Sequence, residues 1–178
     1  DQFSPIGLEH HRSSENVRLP GYFTQWDKTV AGRGLLAHEL VHSWNGKFRR
    51  PADLATSNYH DPMRNSLLWV YEGLTEYWEF VLTARSGLWD QGTARQAWAH
   101  AAATYEFQRP GRVWRNLQDT VHQPIITARR PQSWTSWQRT EDYYNEGALL
   151  WLDVDTQIRE LTREKRSLDD FARAFFGV

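Results

Sequence analysis

Two histidines spaced four positions apart constrain the fold more than any other feature of this sequence. His38 and His42 belong to the pattern His-Glu-Leu-Val-His, which lies inside the apolar stretch 35–44. On a helix, positions i and i+4 share a face, so both imidazoles can point at one metal ion. Glu39 would then lie beside the open coordination position. The pattern predicts that this segment is helical and that it carries a metal site.

A second amphipathic segment offers a third ligand. Glu72 lies in the sequence Trp-Val-Tyr-Glu-Gly, and its carboxylate would complete a set of two histidines and one glutamate. Such a set is typical of catalytic zinc sites because it leaves one coordination position for water. The short histidine pattern alone does not separate this reading from a core helix with two polar residues at its edge.

Three carboxylates share one face of the second predicted helix. Glu72, Glu76 and Glu79 are spaced at i, i+4 and i+7. If Glu72 binds the metal, another carboxylate can accept the free N–H of a ligand imidazole and so fix its tautomer. Glu76 is the first candidate for this role and Glu79 the second. The alternative is a solvated acidic stripe, because charged side chains usually face water.

Four motifs resemble those of one peptidase family, and they occur in the same order. They are GLEH at 7–10, HSWN at 42–45, LLWVYEGLT at 67–75 and YYNEGAL at 143–149. With these motifs the chain resembles the glycyl aminopeptidase family of gluzincin zinc metallopeptidases. The resemblance extends from about residue 7 to about residue 175, which is nearly the whole chain.

The resemblance implies a fold and a cofactor. It implies a thermolysin-like gluzincin catalytic domain that binds Zn²⁺, mainly α (α+β), with a small β element at its N-terminal end. We expect residues 1–178 to form one such domain. We also expect the chain to be a fragment of a longer protein, since members of the family usually carry an N-terminal β-rich domain and a C-terminal PDZ domain.

The resemblance also implies roles for individual residues. Glu39, beside a metal-bound water, is suited to act as the general base. Tyr144, three residues before Gly147, matches the catalytic tyrosine that donates to the oxyanion. Glu9 matches the carboxylate that binds the α-ammonium group of the substrate. One position departs from the family pattern, because Glu146 stands where a lysine is common.

Periodicity and capping signals predict the helices. We expect helices over about 30–45, 64–85, 89–108 and 142–161, and a short final helix that starts at Ser167. In the first of these, Leu36, Leu40 and Trp44 should face the core, and Asn45 with Gly46 should form its C-cap. Residues 112–139 have no clear periodicity and are expected to form loops and short turns.

The composition makes several partners improbable. The formal net charge of −1 gives no reason to expect nucleic acid or an anionic membrane as partner. No apolar run reaches the length of a membrane span. Cysteine is absent, so the fold does not depend on disulfides, and the sequence leaves the compartment open.

Three functions from different classes remain at this point. The first is a zinc aminopeptidase that prefers small N-terminal residues such as glycine or alanine, as the resemblance implies, with a peptide as its partner. The second is a zinc endopeptidase of the same fold. The third is a non-catalytic interaction module stabilised by the metal. Glu39 argues against the third, because a structural site has no need of a general base, and Glu9 favours the first over the second.

Overall fold

The computed structural model describes residues 6–122, 124, 139 and 141–177. This part of the chain is mainly helical, with a two-stranded antiparallel sheet near its start. Its main elements are β1 (Gly7–Glu9), β2 (Ser14–Asn16), α1 (Gly34–Val41), α2 (Leu68–Arg85), α3 (Gln91–Phe107), α4 (Asn145–Thr162) and α5 (Leu168–Phe176). The expected fold class, mainly α with a small N-terminal β element, is confirmed.

Helix α2 is the centre of the packing. It contacts α1, α3 and α4, and the main apolar cluster forms where these helices meet. The buried members of that cluster are Val41, Leu74, Tyr77, Trp78, Ala148, Leu168 and Phe176. Burying this apolar surface holds both α1 and α4 against α2.

Two glycines allow α2 and α4 to approach closely. A Cβ atom on Gly73 would lie 2.8 Å from the Cα of Gly147 and 2.9 Å from the carbonyl oxygen of Tyr143. Both of these neighbours are backbone atoms, which cannot move aside as a flexible side chain can. The absence of a side chain at Gly73 therefore fixes the spacing of the two helices.

We expect Gly73→Ala to lower the free energy of unfolding by about 3 kcal/mol, because the extra methyl group would force the two backbones apart. Urea unfolding followed by circular dichroism measures this loss. Gly92→Ala on the exposed start of α3 is the matched control, since a Cβ there meets its nearest neighbour at 3.4 Å. Equal urea midpoints for Gly73→Ala and the native chain would contradict the close approach.

The small sheet packs against α1. Strands β1 and β2 pair in antiparallel register, with Gly7 opposite Asn16 and Glu9 opposite Ser14. Alternate residues of a strand point to the same side, and Gly7 and Glu9 are the partly buried residues of β1. A Cβ on Gly7 would overlap the carboxylate of Glu39, so the strand backbone lies directly on α1.

Helix α1 is shorter than predicted, and its buried face differs from the predicted one. It ends at Val41, well before Asn45, so the predicted C-cap is wrong. Leu40 and Trp44 were expected in the core, yet they are 55% and 43% exposed. The face that packs on α2 instead carries His38 together with Val41, because the polar site occupies that interface.

The other boundaries lie close to those predicted. Asn65 has a φ of 58°, a left-handed conformation that prevents the helix from starting at residue 64, so α2 begins at Leu68. Ser167 caps α5 in a full capping box with Asp170, as predicted. Of the expected loop region 112–139, residues 123 and 125–138 lie outside the described part. None of the described helices is both long and apolar enough to cross a membrane.

Candidate metal centre

Three donor atoms from α1, its C-cap and α2 form a compact triangle. The Nε2 atoms of His38 and His42 lie 3.1 Å apart. Oε2 of Glu72 lies 3.4 Å from Nε2 of His38 and 3.2 Å from Nε2 of His42. The two histidines are buried and Glu72 is nearly so. The structure thus brings together the three residues that the sequence predicted as ligands, and their free donor atoms converge on one point.

The outer nitrogen of each imidazole faces an acceptor. Nδ1 of His38 lies 3.0 Å from Oε2 of Glu79 and 3.2 Å from Oε2 of Glu76. Nδ1 of His42 lies 3.0 Å from the carbonyl oxygen of Asn45. A proton on each Nδ1 would donate to these acceptors and leave both Nε2 lone pairs free. The arrangement is the one that a metal-binding pair of histidines requires.

Glu79 takes the position that the sequence assigned first to Glu76. Its carboxylate makes the shorter contact with His38, and it has room because Gly34 at the start of α1 has no side chain. Glu76 lies alongside, also facing His38. Both carboxylates therefore belong to the buried site, and the alternative of a solvated acidic stripe is wrong for this face of α2.

Asn45 and Thr75 hold the second histidine, His42, in a role that was not predicted from the sequence. The side-chain amide of Asn45 donates to the carbonyl oxygen of Tyr71 at 2.8 Å and to the hydroxyl of Thr75 at 3.1 Å. The backbone carbonyl oxygen of Asn45 faces Nδ1 of His42. These contacts join the loop after α1 to α2 across a long sequence separation. The motif His-Ser-Trp-Asn contains Asn45, but the spacing within a motif does not reveal a partner on another helix.

Tyr71 is a third residue whose role was not predicted from the sequence. Its ring stacks on that of His42, with centroids 4.6 Å apart and 26° between the planes. Its hydroxyl donates to Oε1 of Glu9 at 2.5 Å. The side chain fits because a Cβ at Gly46 would overlap its ring. Tyr71 therefore links the triangle of donor atoms to Glu9 on strand β1.

Glu39 is buried beside the triangle, under strand β1. Its side chain lies against Gly7, and its Oε2 atom has no hydrogen-bond partner among the described residues. Burial raises the pKa of Glu39, although the neighbouring histidines oppose that effect. A carboxylate with an elevated pKa and an unused oxygen is well suited to accept and return a proton.

Tyr144 reaches the same site from the start of α4. Its ring lies 5.8 Å from that of His38, centroid to centroid, and the carboxylate of Glu72 is close enough for its charge to act on the phenol. Burial, reinforced by the charge of Glu72, raises the pKa of Tyr144, so the phenol keeps its proton. Glu146, the departure from the family pattern, forms ion pairs with Arg112 and Arg139 and is not an isolated charge.

Glu9 lies at the edge of the site and already has partners. Besides the hydroxyl of Tyr71, it faces the ammonium group of Lys47 at 3.4 Å. Burial would raise the pKa of Glu9, yet these partners lower it below its usual value. The carboxylate is therefore charged near neutral pH, as binding an ammonium group requires.

The electrostatics of the site favour a cation. Burial tends to raise the pKa of Glu72, but its contacts with His38 and His42 lower it to about 2. Burial and the charge of Glu79 raise the pKa of Glu76 to about 7. Burial opposes protonation of His38, yet the surrounding carboxylates raise its pKa well above the usual value. Buried carboxylates outnumber the imidazoles, so a positive charge between the rings is stabilised.

Residues 31–150 match the family model of the M61 glycyl aminopeptidases. The matched range is more than half of the chain and includes both histidines, Glu39, Glu72 and Tyr144. The chain belongs to the M61 glycyl aminopeptidase family. This confirms the family suggested by the sequence motifs and supports a hydrolase that acts on peptide bonds.

Membership of the M61 family bears on what the three donor atoms could bind. The family suggests a metal cofactor, and His38, His42 and Glu72 form a group that could hold one. Glu9 lies outside the residues matched to the M61 model, so its role rests on its position alone. A search of curated proteins found no match to this chain.

Proposed function

We propose that this chain is a zinc-dependent aminopeptidase whose metal is held by His38, His42 and Glu72. The observation that carries the proposal is the triangle of donor atoms, with sides of 3.1–3.4 Å. Tetrahedral zinc with bonds of about 2.0–2.1 Å separates neighbouring donors by about 3.3 Å. One buried carboxylate, Glu39, lies beside this triangle without contributing to it, which favours a catalytic site over a structural one.

The side chains around the triangle have distinct tasks. When bound, zinc supplies Lewis acidity and lowers the pKa of a water molecule to near neutrality. Glu39 accepts the proton of the attacking water on its unpartnered oxygen and later gives it to the leaving amine. Tyr144 keeps its phenolic proton and donates it in a hydrogen bond to the developing oxyanion. Glu79 holds the ring of His38, and Asn45 that of His42.

The position of Glu9 supports action at a free N-terminus. Gly7 lies on Glu39 and Glu9 is one strand repeat farther along the same side of β1. A peptide whose α-ammonium binds Glu9 would therefore have its first peptide bond near Glu39. The resemblance implies that glycine and alanine are preferred as first residues, and this preference is part of the proposal.

A panel of free and N-acetylated aminoacyl substrates tests the proposal, with zinc content measured on the same samples. We expect cleavage of the free-amine substrates alone, and loss of cleavage when the zinc is removed by a chelator. Efficient cleavage of acetylated peptides at internal bonds would instead establish the endopeptidase alternative. Bound zinc without hydrolysis of any peptide would establish the non-catalytic module.

We expect Tyr144→Phe to lower kcat by about 10²–10³-fold while zinc stays bound, because one donor to the oxyanion is lost. Steady-state kinetics on a glycyl substrate measures the loss. Tyr143→Phe is the matched control, since this neighbouring tyrosine packs in the interior. The opposite result, with Tyr143→Phe inactive and Tyr144→Phe active, would show that the neighbouring tyrosine has the catalytic role.

We expect Glu9→Gln to lower kcat/KM for free-amine substrates by about tenfold or more, because a charged acceptor for the ammonium group is replaced by a neutral one. Acetylated substrates should stay uncleaved in the variant as in the native chain, since they cannot form the ion pair. Parallel assays on matched glycyl and acetylglycyl substrates measure both. An equal effect on the two substrates would remove Glu9 from recognition of the N-terminus.

A further inference from the structure

A cavity adjoins the proposed catalytic site at the end where the substrate's N-terminus would bind. Its volume is about 350 Å³, and both Glu9 and Glu72 line it. If the ammonium group of a peptide binds Glu9 and its first carbonyl lies near the triangle of donor atoms, the first side chain has this cavity beside it. The cavity is therefore the place where selection of that side chain would occur.

Two cations line this cavity and only one of them is neutralised there. Lys47 faces Glu9 at 3.4 Å. Arg50 donates from Nε to the carbonyl oxygen of Gly46 at 3.0 Å, and no carboxylate of the described residues lies within ion-pair distance of it. Glu72, the other carboxylate of the wall, faces the two histidines. The two cations and two carboxylates of the wall balance in the free protein, so a substrate ammonium group that joins Lys47 at Glu9 leaves one positive charge in excess.

The rest of the wall suits a short aliphatic stem. Leu54, Met63 and Leu68 line the cavity together with the two cations. An acidic amino acid combines a short aliphatic chain with a terminal carboxylate, so its stem matches the apolar wall and its charge matches Arg50 and Lys47. A basic side chain would be repelled by these two cations, and an uncharged amide of equal size would interact with them much more weakly than a carboxylate.

We propose that this cavity selects an acidic side chain on the first residue of the substrate. This proposal rests on the aminopeptidase function proposed above. Glycine and alanine leave the cavity empty and are not affected by it. Among first residues larger than alanine, glutamate and aspartate are preferred over neutral and basic residues. Lys47 and Arg50 are the specificity-determining residues.

The test compares glutamyl and glutaminyl substrates, which have nearly the same size and differ in charge. We expect kcat/KM to be about tenfold higher for the glutamyl substrate at low ionic strength, a ratio that corresponds to about 1.4 kcal/mol. The ratio should fall as salt is added, because Arg50 is exposed. Arg50→Gln and Lys47→Met should each bring the ratio towards one. Both substrates carry the same ammonium group, so the ratio cancels any effect of Lys47 on Glu9.

Arg49→Gln is the matched control. Arg49 is next to Arg50 in the sequence, but its Nε donates to the carbonyl oxygen of Phe175 at 3.0 Å, and it does not line the cavity. The ratio should be the same in this variant as in the native chain. A ratio of one or less in the native chain, or one that persists in both Arg50→Gln and Lys47→Met, would overturn the proposal.

A binding measurement separates this proposal from the proposed function. Calorimetric titration of free glutamate and glutamine into Glu39→Gln requires no turnover. Tighter binding of glutamate, lost in Arg50→Gln, supports the acidic cavity even if no aminoacyl substrate is cleaved. Equal binding of the two, in a protein that releases glycine from free-amine peptides, would refute the acidic cavity and leave the aminopeptidase function intact.

Discussion

Replacing Glu72 with alanine should weaken zinc binding by more than a hundredfold. Its carboxylate closes the triangle with the two histidines, and in the variant only two protein donors would remain. Outer partners of metal-bound histidines already contribute about 10- to 100-fold in affinity, so the loss of a direct ligand should exceed that range. Competition with a chromophoric chelator, at fixed pH, measures the zinc affinity of each variant.

Glu79→Gln is the informative comparison for Glu72→Ala. Glutamine keeps the size of the side chain and one oxygen to accept from Nδ1 of His38, but removes the charge. We expect it to weaken zinc binding by about 10-fold, within the range found for such outer partners. If Glu72→Ala retained zinc as firmly as the native chain, Glu72 would not be a ligand and the nearby carboxylates of the same helix would become the candidates.

The second large effect is expected at Glu39. Glu39→Gln should lower kcat by about 10²–10⁴-fold, because the amide cannot take up the proton of the attacking water. Zinc content and the thermal midpoint should stay close to those of the native chain, since Oε2 of Glu39 makes no hydrogen bond with the described residues. Steady-state kinetics, with zinc measured on the same sample, distinguishes loss of the base from loss of the metal.

The exposed Glu160→Gln provides the control for Glu39→Gln, since it makes the same chemical change on α4, away from the site. It should have native activity. A Glu39→Gln variant with unchanged kcat would show that another group accepts the proton, and Glu76, whose pKa is raised to about 7 by burial and by Glu79, would be the next to examine.

The parts of the site that follow helical spacing could be predicted from the sequence. His38 and His42 share a face because they are four positions apart, and Glu72, Glu76 and Glu79 share another for the same reason. Helical spacing predicts only which residues share a helix face. These faces form one site because close contacts at Gly34 and Gly73, together with the apolar cluster, bring the helices together.

Other features depend on contacts that spacing does not encode. Leu40 and Trp44 follow the helical period of a core face, yet the polar face of α1 is buried because it carries the donor atoms. Asn45 was interpreted as a helix cap, whereas its side chain binds the backbone of α2. Tyr71 and Lys47 meet Glu9 only after the strand has folded onto the site, so neither could be assigned from the sequence.

Titrating zinc into the chelator-treated chain while following glycine release tests the central claim most directly. Two substrates are used, a glycyl peptide with a free N-terminus and its N-acetylated counterpart. We predict no hydrolysis without metal, a linear rise with added zinc that stops at one zinc per chain, and release of glycine from the free peptide only. Hydrolysis that is independent of zinc, or equal cleavage of the acetylated peptide, would contradict the account.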